Sequence, residues 1–216
     1  MTEHAVAGLL LAAGEGRRLG RPKALLADAT GQLFVARALS ALAEGGCAPV
    51  YAVLGAGLDD VRARIPAPVR VVVAEGWAGG MGVSLRAGLD ALIHVPAERA
   101  ADIEAVVVML VDTPGVTADV VRRLVADPAG PTRRAAADLT SALRRASYDG
   151  VAGHPVLLGR RHWVGVRASA RGDRGARDYL RAHAVDLVEC GDIGQGDDID
   201  TLEGLVAWRA ARAATS

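Results

Sequence analysis

Lysine is almost missing from this chain. Of 25 basic side chains in 216 residues, one is a lysine, Lys23, and the others are arginines. Cysteine occurs twice, at Cys47 and Cys190, with neither CxxC spacing nor the numbers for a disulfide framework, so two structural thiols in a reducing cytoplasm are expected. Net charge is also absent: 25 acids balance the 25 bases, which removes the broad electropositive footprint of a nucleic-acid binder. A small anion recognised locally is not excluded by that balance. The apolar run over 5–13 is far shorter than the roughly 20 residues that span a bilayer. It is flanked on its left by Glu3 and His4 rather than by the basic segment of a secretory signal, so no membrane partner is expected. The five histidines include no HExxH and no pair spaced for one helix face, which argues against zinc.

What is present has a rhythm. β-branched runs at 4–12, 50–54 and 69–74 alternate with alanine-rich amphipathic stretches at 33–44, 59–65 and 83–92, as in βαβ units. Residues 105–111, AVVVMLV, are apolar at every position, as in a central strand buried on both faces. A helix is predicted over 117–126, the loosest segment over 127–137, and strands over 143–148 and 155–158. There is no internal repeat and no dividing linker. A chain of this length can bury a self-sufficient core, so one domain over 1–216 is expected, a three-layer α/β/α Rossmann-like mixed sheet, as a monomer or weak homo-oligomer.

The first strand ends in LAAGEGRRLG, which puts Gly14, Gly16 and Gly20 beyond a carboxyl end, where open α/β sheets bind ligands. Glycines let backbone N–H groups approach phosphate oxygens, and Arg18 and Lys23 offer the balancing charge. The spacing G-x-G-x-x-x-G is one residue off the dinucleotide fingerprint. A Walker loop would need Gly-Lys followed by Ser or Thr, and Lys23 lies between Pro22 and Ala24. Asp112, after the apolar strand, emerges at the same sheet edge and suits a Mg²⁺ ligand, because magnesium takes one or two carboxylates beside substrate phosphates. Asp112 could equally cap a turn, and Asp200 could N-cap the helix expected from about Leu202.

The segment 9–25, LLAAGEGRRLGRPKALL, resembles the LAAGxGxRMGxPKxLL signature of the MobA-like nucleotidyltransferases, with Leu19 in place of methionine. Further stretches follow in the family's order: GMGVSLRAGL, LVDTPGVT, YDGVAGHPVLL, GDRGARDYL and DDIDTLEGL. The resemblance is nearest to molybdenum cofactor cytidylyltransferases. It implies the sheet of the nucleotide-diphospho-sugar transferase type and a Mg²⁺-dependent transfer of CMP from CTP to a small phosphorylated acceptor, the molybdenum cofactor, with release of pyrophosphate. It also implies roles. Lys23 and Arg18 are catalytic cations. Leu11, Ala12, Ala13, Gly14, Gly16, Gly80, Gly82 and Ser84 bind the nucleotide. Asp112 and Asp200, with Asp198 as the lesser substitute, hold the metal, and His154, Asp173 and Arg174 face the acceptor. LAAG, where guanylyl relatives carry LAGG, favours a pyrimidine.

Thr113 and Gly115 depart from the family, which usually has Gln and Leu there. Two other enzyme readings stay open: a pyrophosphorylase on a sugar phosphate or other small phosphate, which the loop, Lys23 and Asp112 would serve equally well, and an NAD(P)H-dependent reductase of a small aromatic substrate, which the glycine loop and these departures motivate. A non-catalytic nucleotide sensor would not need both metal carboxylates.

Overall fold

The computed structural model describes residues 5–95, 103–126 and 138–213. Seven strands form one sheet: β1 (Ala5–Ala12), β2 (Val50–Leu54), β3 (Arg70–Val73), β4 (Ile103–Leu110), β5 (Leu143–Tyr148), β6 (Val151–Gly159) and β7 (Asp186–Glu189). Their order is β3-β2-β1-β4-β6-β5-β7. The first four strands pair in parallel, β6 runs antiparallel to both β4 and β5, and β7 is parallel to β5.

The apolar runs of β1 and β4 are explained by their central position, since alternate side chains enter two different cores. Leu10, Ala12, Val107 and Met109 pack on one face with Phe34, Leu42, Val120 and Leu124. These partners come from α1 (Phe34–Glu44) and α4 (Ala118–Val125), which follows the short α2 (Leu58–Arg62) and the long α3 (Met81–Ile93). Leu9, Leu11, Val106 and Val108 pack on the other face with Leu85 and Leu89 of α3 and with Trp163 and Val166 of α5 (Trp163–Ser169). Two further helices, α6 (Arg177–Arg181) and α7 (Leu202–Ala213), complete the described elements. The three-layer mixed sheet expected from the sequence is the fold observed. No helix among the described residues is long and apolar enough to cross a membrane.

The departures from the expected elements have local causes. The strand predicted over 155–158 begins earlier, as β6, because Asp149 (φ 51°) and Gly150 (φ 78°) make a two-residue hairpin turn whose positive φ angles suit the twist of the flanking strands. β7 went unread because its four residues, DLVE, carry an acid at each end and bury only Val188, unlike the equally short but valine-rich β3. The loose segment expected over 127–137 lies outside the described residues.

Candidate functional site

The carboxyl ends of β1 and β4 open onto a cavity of about 490 Å³, a size suited to a nucleotide-sized ligand. The glycine-rich loop after β1 forms one wall. It is compact because Gly16, at φ 65°, takes a left-handed conformation and leaves no side chain in the way of the Arg21 carbonyl. An ideal Cβ there would lie 2.1 Å from that oxygen. The chain then makes a tight turn with Leu19 N–H donating to the Gly16 carbonyl at 2.8 Å. Pro22 (φ −52°) leads into the short 3-10 turn Lys23–Leu25 and starts the lysine side chain toward the cavity.

Lys23 is the centre of the charged end. Its ammonium donates to Asp112 Oδ2 at 2.6 Å and also to Asp200 Oδ1. Its side chain is 17% exposed, that of Asp112 19%, and that of Asp200 45%. Burial works against the lysine's charge, but the Asp112 carboxylate and the hydrogen bonds to both acids outweigh it and raise its pKa. The Asp200 carboxyl is lowered, chiefly by the hydrogen bond from Lys23, against some desolvation, with the charges of Lys23 and Arg18 adding to the effect. Arg18 NH1 lies 4.0 Å from Asp200 Oδ2 on an otherwise exposed side chain.

Asp112 and Asp200 meet because the segment before α7 runs alongside the turn after β4. Ile199 N–H donates to the Asp112 carbonyl at 2.8 Å, and Gln195 N–H to that of Gly115 at 3.1 Å. Asp112, Asp198 and Asp200 can each direct one oxygen into a group spanning no more than 4.8 Å, a set of hard donors that could hold a divalent metal. Asp112 Oδ1 is buried and has no hydrogen-bond partner. Such an orphaned oxygen beside two further carboxylates is the donor set a small dication would satisfy.

The opposite wall comes from the loop before α3. Gly80 is at φ 97°, and a Cβ there would lie 2.6 Å from Asp173 Oδ1; one at Gly82 would lie 2.7 Å from the Arg171 backbone. The glycines of this loop thus have a packing reason: two backbones meet, and Asp173 is carried to the cavity edge. Arg86, on α3, donates to the Ala170 carbonyl and fastens the same two segments. Trp77 rests on Gly55 just beyond β2.

Of the residues predicted from the sequence, Leu11, Ala13, Gly14, Gly16, Arg18, Lys23, Gly80, Ser84, Asp112, Asp173 and Asp200 line the cavity. Ala12 points into the core on the α1 side, and Gly82 faces Arg171. Arg174 lies outside the lining and reaches Asp178 at 3.3 Å. His154 is on β6, also outside the lining. Its Nδ1 is buried without a partner, and burial together with Arg145 and Arg177 lowers its pKa to about 4, against a hydrogen bond at Val108. It is therefore a neutral imidazole at pH 7.

The departures at Thr113 and Gly115 are absorbed by packing rather than by the cavity. Thr113 is 2% exposed and donates its hydroxyl to the Leu110 carbonyl at 2.9 Å, while a Cβ at Gly115 would lie 2.6 Å from the Gln195 carbonyl oxygen. Sequence reasoning assigned no role to Trp77 or Met81, which line the cavity. A signal was present for Met81, which sits inside the GMGVSLRAGL stretch marked by the resemblance; Trp77 lies just ahead of that stretch.

Residues 8–187 match the MobA-like NTP transferase domain. The chain is 40% identical over 206 residues to nicotine blue oxidoreductase of Paenarthrobacter nicotinovorans, covering 92% of this chain and 93% of that protein. It is 32% identical over 123 residues to molybdenum cofactor guanylyltransferase of Rhodobacter capsulatus, covering 56% of this chain and 58% of that one. Among solved structures, Rv0371c of Mycobacterium tuberculosis H37Rv superposes with a TM-score of 0.74 at 26% identity, covering 95% of this chain and 98% of the other. A manganese complex of the same mycobacterial protein superposes with a TM-score of 0.69 at 23% identity, covering 96% and 99%.

Proposed function

Because the chain belongs to the MobA-like NTP transferase family, we propose that it is a divalent-metal-dependent nucleotidyltransferase, carrying CMP from CTP to the phosphate of a small acceptor, the molybdenum cofactor. In this reaction an acceptor phosphate oxygen attacks the α-phosphorus, the bond from that phosphorus to the bridging oxygen breaks, and pyrophosphate leaves. The observation that carries the reading is the meeting of Lys23, Asp112 and Asp200 beside the glycine-rich loop.

The chain's part is positioning and charge. A phosphomonoester has a second pKa of about 6 and is largely ionised at neutral pH, so the nucleophile needs no general base and the cavity needs no catalytic triad. The loop over 14–20 presents backbone N–H groups to phosphate oxygens, and Arg18 and Lys23 add positive charge where negative charge gathers. Asp112 and Asp200, joined by Asp198, would hold Mg²⁺ or Mn²⁺. When bound, the ion supplies neutralisation of the phosphate oxygens. Ala13 on the cavity wall supports the cytidylyl choice, since it is the residue that separates LAAG from LAGG.

Pyrophosphate release from CTP, GTP and ATP with Mg²⁺ or Mn²⁺, in the presence of molybdopterin carrying its metal, tests the reading. CTP should be used in preference to GTP, and Asp112→Asn should abolish release while leaving the circular dichroism spectrum unchanged. Equal use of all three nucleotides would remove the cytidylyl assignment, and no release from any of them would remove the transferase. One observation favours a second reading: the 40% identity to an oxidoreductase over most of both chains. If that reading holds, the protein oxidises NADPH with a flat aromatic acceptor, and Asp112→Asn leaves the rate intact.

A further inference from the structure

The chain has few aromatic side chains, 3% of its residues, and among the described ones Trp77 is the aromatic that lines the cavity. The indole has a defined seat. A Cβ built at Gly55 would lie 2.6 Å from Trp77 Cγ, 2.7 Å from its Cβ and 2.9 Å from Ala13 Cβ, so the root of the ring sits on bare backbone at the end of β2. Trp77 is partly buried against the core that contains Ala13 and Leu11, and it remains open to the cavity.

Strand order sets what can lie beside it. Gly55 follows β2, the glycine-rich loop follows β1 and Asp112 follows β4, in the spatial order β2-β1-β4. Neighbouring strands are about 4.8 Å apart, so the indole stands about 10 Å across the sheet edge from the carboxylates, with the phosphate loop between them. Lys23, Asp112 and Asp200 mark one end, while Trp77, Met81, Leu11 and Ala13 give the other an apolar surface, with Asp173 and Ser84 at its edge beside Gly80 and Met81.

We propose that Trp77 is the stacking platform on which the planar ring of the ligand lies, the cytosine ring if the reading above holds. The inference rests on that reading for the identity of the ring and on the cavity geometry for its position. Stacking a base on an aromatic side chain is worth about 1–3 kcal/mol by alanine substitution, so loss of the ring should weaken nucleotide binding about five- to 150-fold and leave the phosphate contacts as they are.

The test compares CTP with inorganic triphosphate, each titrated with Mg²⁺ against wild type, Trp77→Leu and Trp77→Phe by calorimetry. Trp77→Leu should bind CTP at least about fivefold more weakly than wild type, yet bind triphosphate within twofold of it. Trp77→Phe, which keeps an aromatic face, should recover CTP affinity to within about threefold. A general disturbance of the loop would weaken both ligands together and would not be rescued by phenylalanine. CTP binding unchanged in Trp77→Leu, or an equal loss for CTP and triphosphate, overturns the platform while leaving the transferase reading standing. A wild type that binds no nucleoside triphosphate overturns both.

Discussion

Replacing Lys23 by methionine keeps the length of the side chain and removes the charge that holds two acids together. The contact with Asp112 joins two side chains less than a fifth exposed, a setting in which removing one partner of a pair costs about 3–5 kcal/mol. The contact with Asp200 involves a carboxylate 45% exposed and belongs nearer the surface value of about 0–1 kcal/mol. Water reaches both through the open cavity, so a loss of about 2–3 kcal/mol at pH 7 is expected. For a chain of this size that lowers Tm by about 4–12 °C. Urea unfolding followed by tryptophan fluorescence measures it. The lowered Asp200 carboxyl contributes stability above its unfolded value, about 3.9, and loses it as the pH falls below that, so the gap between variant and wild type narrows in acid. The raised Lys23 ammonium contributes below its unfolded value and loses that contribution as the pH climbs through its raised value, so the gap narrows in strong alkali too. Mn²⁺ should stabilise Lys23→Met more than wild type, because in the variant no ammonium competes for the carboxylates. Unfolding free energies within about 0.5 kcal/mol of each other, the range of an indifferent surface substitution, or equal stabilisation by Mn²⁺, would refute the reasoning.

Three other outcomes follow from particular contacts. Gly16→Ala puts a methyl 2.1 Å from the Arg21 carbonyl oxygen at a φ of 65°, so CTP binding should fall sharply with little change elsewhere in a hydrogen-exchange map. Glu189 accepts hydrogen bonds from Gly191, Gly150, Ser147 and Asp149, which lower its pKa from the usual 4.5 to about 2. Its contribution is present above pH 4.5 and fades toward pH 2, so Glu189→Gln should have a lower Tm at pH 7 and a nearly matching one at pH 2. Burial pushes the Cys47 thiol up to about 12 and raises that of Cys190; both should resist a thiol reagent until the chain unfolds, and rapid labelling of native protein would contradict their placement.

How far the sequence could be read depended on the range of the interaction. The apolar run over 105–111 announced its strand because both faces of β4 are covered, and the glycine loop announced its place because its spacing is local. Asp112 and Asp200 could be named from the resemblance, yet no local pattern says that they share one ammonium, since that contact depends on backbone hydrogen bonds between the 192–200 segment and the turn after β4. Lys23 was placed by the sequence at the phosphate loop, and that the same ammonium bridges two carboxylates is visible only in the structure. The packing partners of Thr113 and Gly115, Leu110 and Gln195, could not be read from the sequence either, since the second of them lies 80 residues further along the chain. Trp77 went unassigned because an aromatic in a glycine-rich loop has no period to mark its neighbours.

The bridge from Lys23 spans 89 residues of chain to Asp112 and 177 to Asp200. Contacts of such separation form late, because the entropy of closing the loop is lost before the contact returns anything. On a ribosome, the lysine emerges 177 residues ahead of its second acid. A chain stalled before the 192–200 segment could build β1 through β4 and the glycine-rich loop, and would still present the lysine to one acid alone. Assembly of the carboxylate cluster therefore waits on the 192–200 segment, and a chain that stops short of it carries the glycine-rich loop without the second acid.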